Sequence, residues 1–226
     1  MQYAESPAFQ IMIPTNNQIS KSWVLWYYLK MIITTLAGIF IFLFLYWRRL
    51  KDDYPAEKIF NSAFLIVFGV FLSLLISKLL LADFWFWVSV LFLFLAELFI
   101  VLKIRIKFYE SLEAAVSSLL PWLSLLYLSD SIQKSSLTSF LAFWLALISL
   151  FLYFLLKNYY RTFSWYKSGK VGFSGLVTIG FFFISRLIFS LFSANVISFA
   201  GFFEPYISGT IAFLSFLLLL KLTFKK

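Results

Sequence analysis

The chain has 226 residues, of which 62% are hydrophobic and only 13% are charged. A soluble domain is about half apolar and about a quarter charged, so no soluble fold of this size would hide this much apolar surface. The formal net charge is +9, but the basic residues form short clusters between apolar runs, which indicates cytoplasmic loops rather than a nucleic-acid-binding surface.

The apolar runs last about 20 residues each and show no period-two alternation, which predicts membrane-spanning helices rather than the strands of a barrel. The sequence contains no cysteine and no histidine. This excludes disulfides, thiolate chemistry and histidine-based acid–base or metal chemistry. We therefore expect no metal ion and no cofactor. No enzyme motif such as a phosphate-binding glycine loop occurs in the sequence.

Seven spans can be marked, so the predicted fold class is an all-α, polytopic membrane helix bundle. Residues 1–22 are predicted to be a short extracytoplasmic segment with no cleavable signal peptide, and residues 23–226 a single transmembrane domain. The fourth span is short and contains Pro121. The predicted spans are Trp23–Trp47, Ile59–Ala82, Phe84–Leu102, Leu112–Leu128, Leu137–Leu156, Phe173–Phe192 and Ile197–Leu220.

The charges of the loops predict the orientation of the bundle. Fourteen basic residues follow the first, third, fifth and seventh spans, whereas Lys21 and Lys134 alone lie on the other side. Because cytoplasmic loops carry the excess of lysine and arginine, the N-terminus is predicted outside and the C-terminus in the cytoplasm. On the second span, Gly69, Ser73 and Ser77 form a stripe of small residues that predicts close packing against another helix.

Ionisable residues at membrane depth are costly, so each of them is a candidate site residue. Arg186 lies thirteen residues into the sixth span, too deep to reach water easily. It is interpreted either as a guanidinium that binds an anionic lipid headgroup, or as a structural ion pair with Glu97 or Glu204. Glu97 lies six residues before Lys103 and is interpreted either as a functional acid or as the partner of a nearby cation. Glu204 precedes Pro205 near the start of the seventh span. It is interpreted either as the partner of Arg186 or as an exposed carboxylate in a loop.

Four segments occur in a characteristic order along the chain: Trp26-Tyr27-Tyr28-Leu29, Pro55-Ala56-Glu57-Lys58-Ile59, Lys107–Ala114, and Lys170-Val171-Gly172-Phe173 followed by Gly180 and Arg186. This order resembles that of the bacterial prolipoprotein diacylglyceryl transferase family. Members of that family move a diacylglyceryl group from phosphatidylglycerol to a cysteine of a secreted prolipoprotein.

The resemblance implies a seven-span protein of the bacterial cytoplasmic membrane. It implies that phosphatidylglycerol or another anionic lipid binds at Arg186, that Tyr27 and Arg186 are the catalytic residues, and that prolipoprotein signal peptides are partners. Two family motifs are absent from this sequence. The place of the His-Gly-Gly motif reads Trp87-Val88-Ser89, and the place of the Gly-Arg-x-Gly-Asn signature reads Asp130-Ser131-Ile132-Gln133-Lys134.

Three functions therefore remain open from the sequence. The first is a divergent diacylglyceryl transferase. The second is a catalytically inactive relative that binds a lipid or a partner protein. The third is a transporter or channel subunit, which usually shows broken helices in paired repeats. Pro121 and Pro205 are the only hints of such breaks, and they are not symmetrically placed.

Overall fold

The structure is a computed structural model that describes residues 17–159, 171–193 and 196–224. Side-chain surroundings are described for Leu29 and for residues 32–223 within these ranges. The chain divides into two units, residues 1–33 and residues 34–226. The described part of the first unit is helical, and the second unit contains the remaining helices and all the sites discussed below.

The described residues form seven long helices and no strand. Seven helical stretches are long and apolar enough to cross a membrane, and the third of them, Ala82–Ile104, includes the short turns on either side of α3. Short 3-10 helices at Ala82–Phe84 and Gly201–Phe203 precede α3 and α7, and a π-helical turn at Ile100–Ile104 follows α3. The seven helices are α1 (Asn17–Leu50), α2 (Ala56–Leu80), α3 (Trp85–Phe99), α4 (Phe108–Lys134), α5 (Leu137–Tyr159), α6 (Phe173–Phe192) and α7 (Glu204–Phe224).

The predicted fold class and number of spans are confirmed, but the predicted bounds of the fourth and seventh spans are wrong. The fourth helix extends beyond the predicted 112–128 at both ends, and Pro121 lies buried inside it without ending it. The last helix begins at Glu204 rather than at Ile197, because Gly201 adopts a left-handed backbone conformation (φ 55°) in the preceding 3-10 turn. The predicted inside and outside assignments of the termini stay predictions.

The distribution of side chains is the reverse of that in a soluble protein. Large apolar side chains such as Phe40, Phe64 and Phe192 are 73%, 69% and 84% exposed, whereas Glu113, Arg186 and other polar residues are buried. Exposed apolar area on this scale would be an aggregation hazard in water, but it is the expected surface towards hydrocarbon. The fold therefore defines a multi-pass membrane protein.

The helices pack as antiparallel neighbours: α2 against α3, α4 against α5, and α6 against α7, with α5 and α4 also contacting α6. The predicted small-residue stripe on α2 lies in the first of these contacts. The Ser73 and Ser89 hydroxyl groups hydrogen bond at 2.8 Å, and Gly69 lies against Ala96 and the backbone of Phe92. The prediction of close packing at this stripe is confirmed.

Helix α4 is the least apolar of the seven spans and the most buried. Its buried serines form hydrogen bonds within the helix. The hydroxyl groups of Ser117, Ser118 and Ser124 donate to backbone carbonyl oxygens three or four residues earlier. On α1, Gly38 leaves room for the side chain of Trp122, which a Cβ atom at position 38 would overlap. These contacts make α4 the central helix around which both polar clusters are built.

Candidate functional site

The most deeply buried ion pair of the described structure joins α6 and α7. Arg186 is 2% exposed and Glu204 is 0% exposed. Arg186 lies near the end of α6 and Glu204 is the first residue of α7, so the reversal of the chain between the two helices brings them together. The pair lies in the half of the bundle towards the ends of α4 and α6.

Every N–H group of the Arg186 guanidinium has a protein acceptor. Nε and one Nη2 hydrogen donate to Oε1 of Glu204, at 3.0 and 2.6 Å. Nη1 donates to the hydroxyl groups of Tyr127 and Ser198, both at 2.8 Å. The remaining Nη2 hydrogen donates to the Ser198 carbonyl oxygen at 3.0 Å. A guanidinium has five donors, so none is left for a ligand in this arrangement.

The carboxylate of Glu204 is equally well satisfied. Its Oε2 accepts hydrogen bonds from Trp87 Nε1 at 2.9 Å and from the Ala200 backbone N–H at 3.1 Å. Its Oε1 also accepts the Ser208 hydroxyl at 2.8 Å. The interpretation of Glu204 as an exposed loop carboxylate is therefore wrong, because this residue begins a buried helix end and not a loop.

Aromatic rings surround the guanidinium on the sides that hydrogen bonds leave open. The guanidinium carbon of Arg186 lies 4.0 Å from the centre of the Phe86 ring and 4.9 Å from that of Phe199. The rings of Trp87 and Phe182 lie within 6 Å. Rings at these distances attract a desolvated cation and exclude water. The network therefore has the features of a closed structural centre.

The predicted site residues end in three different places. Arg186 and Glu204 meet, as one of the two interpretations predicts. Glu97 makes no ion pair in the described structure. It lies on α3, beside Ser111 in the first turn of α4. Tyr27 lies in the first part of α1, and its side chain is outside the described residues.

A second polar cluster lies on the side of the bundle that carries the basic loops. Arg49, near the end of α1, donates to Oε2 of Glu113 on α4 at 2.7 Å. The hydroxyl group of Ser174, on the first turn of α6, donates to the other oxygen of Glu113. Glu113 is buried, and Gly175 lets α6 approach the backbone of Glu113 closely. This ion pair therefore connects three helices.

The loop after α1 is attached to the same cluster through a phenol and a carboxylate. The Tyr54 hydroxyl donates to Oε2 of Glu110 at 2.5 Å and accepts the backbone N–H of Lys107 at 3.1 Å. Partial burial, followed by the hydrogen bond to Glu110, raises the pKa of Tyr54. The Lys107 ammonium lies 3.1 Å from Oε1 of Glu110, and this hydrogen bond raises the pKa of Lys107.

An open cavity of about 460 Å³ lies between these groups. Glu110 and Glu113 are engaged as described above, and Asp53 lies 3.8 Å from Arg49. Lys157 is exposed and makes no ion pair with any described residue. The charged and polar residues that line the cavity are Arg49, Asp53, Glu110, Glu113, Lys157 and Asn158.

The sequence did not predict this second cluster. In the sequence, Arg49 and Lys157 belong to the basic loop clusters that predict the orientation, and nothing there distinguishes Glu113 from other acidic residues. A usable signal does exist, because Glu110 and Glu113 are three residues apart and therefore share one face of a helix. Among the described residues, no group of His, Cys, Asp or Glu side chains is arranged to hold a metal ion.

The fold and composition thus define a multi-pass membrane protein with two internal polar clusters. Comparison of the chain with models of protein families, with curated proteins and with solved structures gives no match.

Proposed function

We propose that this chain is a bacterial cytoplasmic-membrane protein that binds an anionic phospholipid and is a catalytically inactive relative of the prolipoprotein diacylglyceryl transferases. The relationship depends on the resemblance of the sequence segments. The loss of activity depends on one observation: all the donors of Arg186 are taken by Tyr127, Ser198 and Glu204.

The transfer reaction needs donors that face the phosphate as negative charge develops on the leaving group. To supply them, Arg186 would have to leave Glu204 as an unpaired carboxylate with 0% exposure. Breaking a buried pair in this way costs about 3–5 kcal/mol. Under the resemblance, Trp87 stands at the place of the family's His-Gly-Gly motif, and its indole N–H also binds Glu204. These contacts support a structural role for this centre.

The cavity on the basic side is the better place for a lipid headgroup. It is open, lies at the ends of α1 and α5, and presents the Lys157 ammonium and the Asn158 amide. The three carboxylates of its wall are already paired: Glu113 and Asp53 with Arg49, and Glu110 with Lys107. A phosphate that enters from the lipid leaflet would therefore meet the Lys157 ammonium, which makes no ion pair with any described residue.

The proposal predicts that purified protein transfers no diacylglyceryl group. The assay supplies labelled phosphatidylglycerol and a peptide with a lipobox cysteine, with an authentic transferase as the positive control. We expect no labelled peptide above background, because Arg186 offers no free donor. Labelled peptide formed by the wild-type protein would instead support the second candidate function, a divergent transferase for which the resemblance implies Tyr27 and Arg186 as catalytic residues.

The proposal also predicts selective lipid binding that depends on Lys157. Native mass spectrometry of the protein from nanodiscs should show phosphatidylglycerol retained in preference to phosphatidylcholine. We expect Lys157→Ala to reduce this retention several-fold, because it removes the cavity cation that makes no ion pair with a described residue. Lys103→Ala is the matched control. Lys103 is also exposed and belongs, like Lys157, to a predicted cytoplasmic loop, but it does not line the cavity. Equal losses in both variants would contradict the assignment of the headgroup site.

A further inference from the structure

The membrane interior contains one carboxyl group whose surroundings differ from those of the two ion pairs. Glu97, on α3, is 5% exposed. Neither of its oxygens has a hydrogen-bond partner among the described residues. By contrast, Glu113 and Glu204 are each paired with an arginine. Glu97 is therefore a buried carboxyl that the structural ion pairs do not explain.

A cluster of hydroxyl groups from three other helices lies beside Glu97. Ser111 on α4 and the Tyr46 phenol on α1 interact with Glu97, and Ser62 on α2 in turn interacts with Tyr46. The Tyr46 and Ser111 hydroxyls lie 3.3 Å apart, and the Ser62 hydroxyl donates to the Ile59 carbonyl. No lysine or arginine among the described residues forms an ion pair with Glu97.

An ionised carboxylate in this position would be very unfavourable. Moving such an ion into an apolar medium without a partner costs tens of kcal/mol in the idealised case, and a buried acid instead becomes neutral by binding a proton. Intramembrane acids that lack a counter-ion are for this reason typical of proton-binding sites. The environment of Glu97 thus favours its protonated, uncharged form.

The backbone next to Glu97 also departs from a regular helix. Three residues after it, α3 gives way to the π-helical turn Ile100–Ile104, which Arg105 ends with a left-handed backbone (φ 62°). The Arg105 N–H donates to the Ile100 carbonyl at 2.9 Å. Such π-helical turns are rare and occur frequently at functional sites. This is an independent feature of the same location.

A row of polar groups leads from Glu97 towards the basic-side cavity. Arg49 lies one helical turn beyond Tyr46 on α1, and Glu110 directly precedes Ser111 on α4. Both Arg49 and Glu110 line the cavity. We propose that Glu97 is a proton-binding site within the membrane, which exchanges its proton with the cavity through the Tyr46 and Ser111 hydroxyl groups.

Dicyclohexylcarbodiimide tests this proposal, because it modifies carboxyl groups that are both protonated and in an apolar environment. The full-length protein in nanodiscs is treated over a range of pH, and adducts are located by mass spectrometry. We expect an adduct on Glu97 that decreases as the pH is raised, and none on the ion-paired Glu113 or Glu204. Glu97→Gln should abolish this adduct while keeping the melting temperature close to that of the wild type, because the amide imitates the neutral acid. Tyr46→Phe should slow the response of the adduct to a pH jump.

Three outcomes would overturn the proposal. The absence of an adduct on Glu97 at every pH would show that its carboxyl group is not protonated in the membrane. An adduct that does not respond to pH would show a permanently neutral group that exchanges no proton. Protection of Glu97 by sodium or another cation at constant pH would make the ligand a metal cation instead of a proton.

Discussion

Arg186→Ala is expected to destabilise the folded protein by about 3–5 kcal/mol, which is at the upper end of what a single substitution costs. The variant leaves Glu204, with 0% exposure, without the cation that compensates its charge. It also leaves the Tyr127 and Ser198 hydroxyls without the guanidinium that links them. The free energy of unfolding can be measured by titration of detergent-solubilised protein with sodium dodecyl sulfate.

A double variant separates loss of the pair from loss of packing. When both partners become apolar, as in Arg186→Met with Glu204→Leu, no charge remains buried and unpaired. We expect this protein to be more stable than either single variant, because replacing a buried pair by apolar side chains of similar volume is often close to neutral. If the single variants had the same free energy of unfolding as the wild type, the ion pair would not stabilise the contact between α6 and α7.

The second largest effect is expected for Arg49→Ala, at about 1.5–3 kcal/mol, the range for hydrogen bonds to charged groups. Arg49 lies 2.7 Å from Glu113, which is buried and also accepts the Ser174 hydroxyl. Without the guanidinium, α1 loses its ionic contact with α4. The same detergent titration measures the change, and a fluorescent probe on the loop after α1 would report local opening.

Asp53→Ala is the matched control, since Asp53 contacts the same guanidinium from a largely exposed position. Its carboxylate lies 3.8 Å from Arg49 and its side chain is 51% exposed. Exposed pairs of this kind contribute about 0–1 kcal/mol. If Asp53→Ala destabilised the protein as much as Arg49→Ala, the importance assigned to the buried Glu113 partner would be wrong.

Hydropathy predicted the spans well wherever a helix faces lipid on most of its surface. Helix α6 has the predicted bounds because its apolar run starts after Gly172 and ends in Phe192. Helix α4 was predicted too short, because a helix enclosed by its neighbours can carry Glu110 and Asp130 near its ends. The start of α7 was misplaced because Phe199 and Phe202 continue the apolar run through a segment that is not α-helical.

The candidate site was predicted only in part, because a sequence shows that a buried charge needs a partner but does not show which residue it is. The depth of Arg186 in its span required a partner, and the sequence offered Glu97 and Glu204 without a means to choose between them. The choice depends on the chain reversal before α7, which places Glu204 beside Arg186. The Arg49–Glu113 pair was not predicted, because Arg49 lies in a basic cluster at the end of a span and so has the pattern of a cytoplasmic loop charge.

The polar character of the central helix α4 has a consequence for how the protein is made. A segment that carries Glu110, Glu113 and Asp130 is a weak signal for insertion when it leaves the ribosome alone. Lys107 and Lys134 at its own ends pair with Glu110 and Asp130. Further partners come from both sides of it: Arg49 is synthesised earlier, and Ser139 and Ser174 later. We therefore expect α4 to reach its final stability in the bilayer only when α5 and α6 have packed against it, so that the late steps of membrane insertion are cooperative.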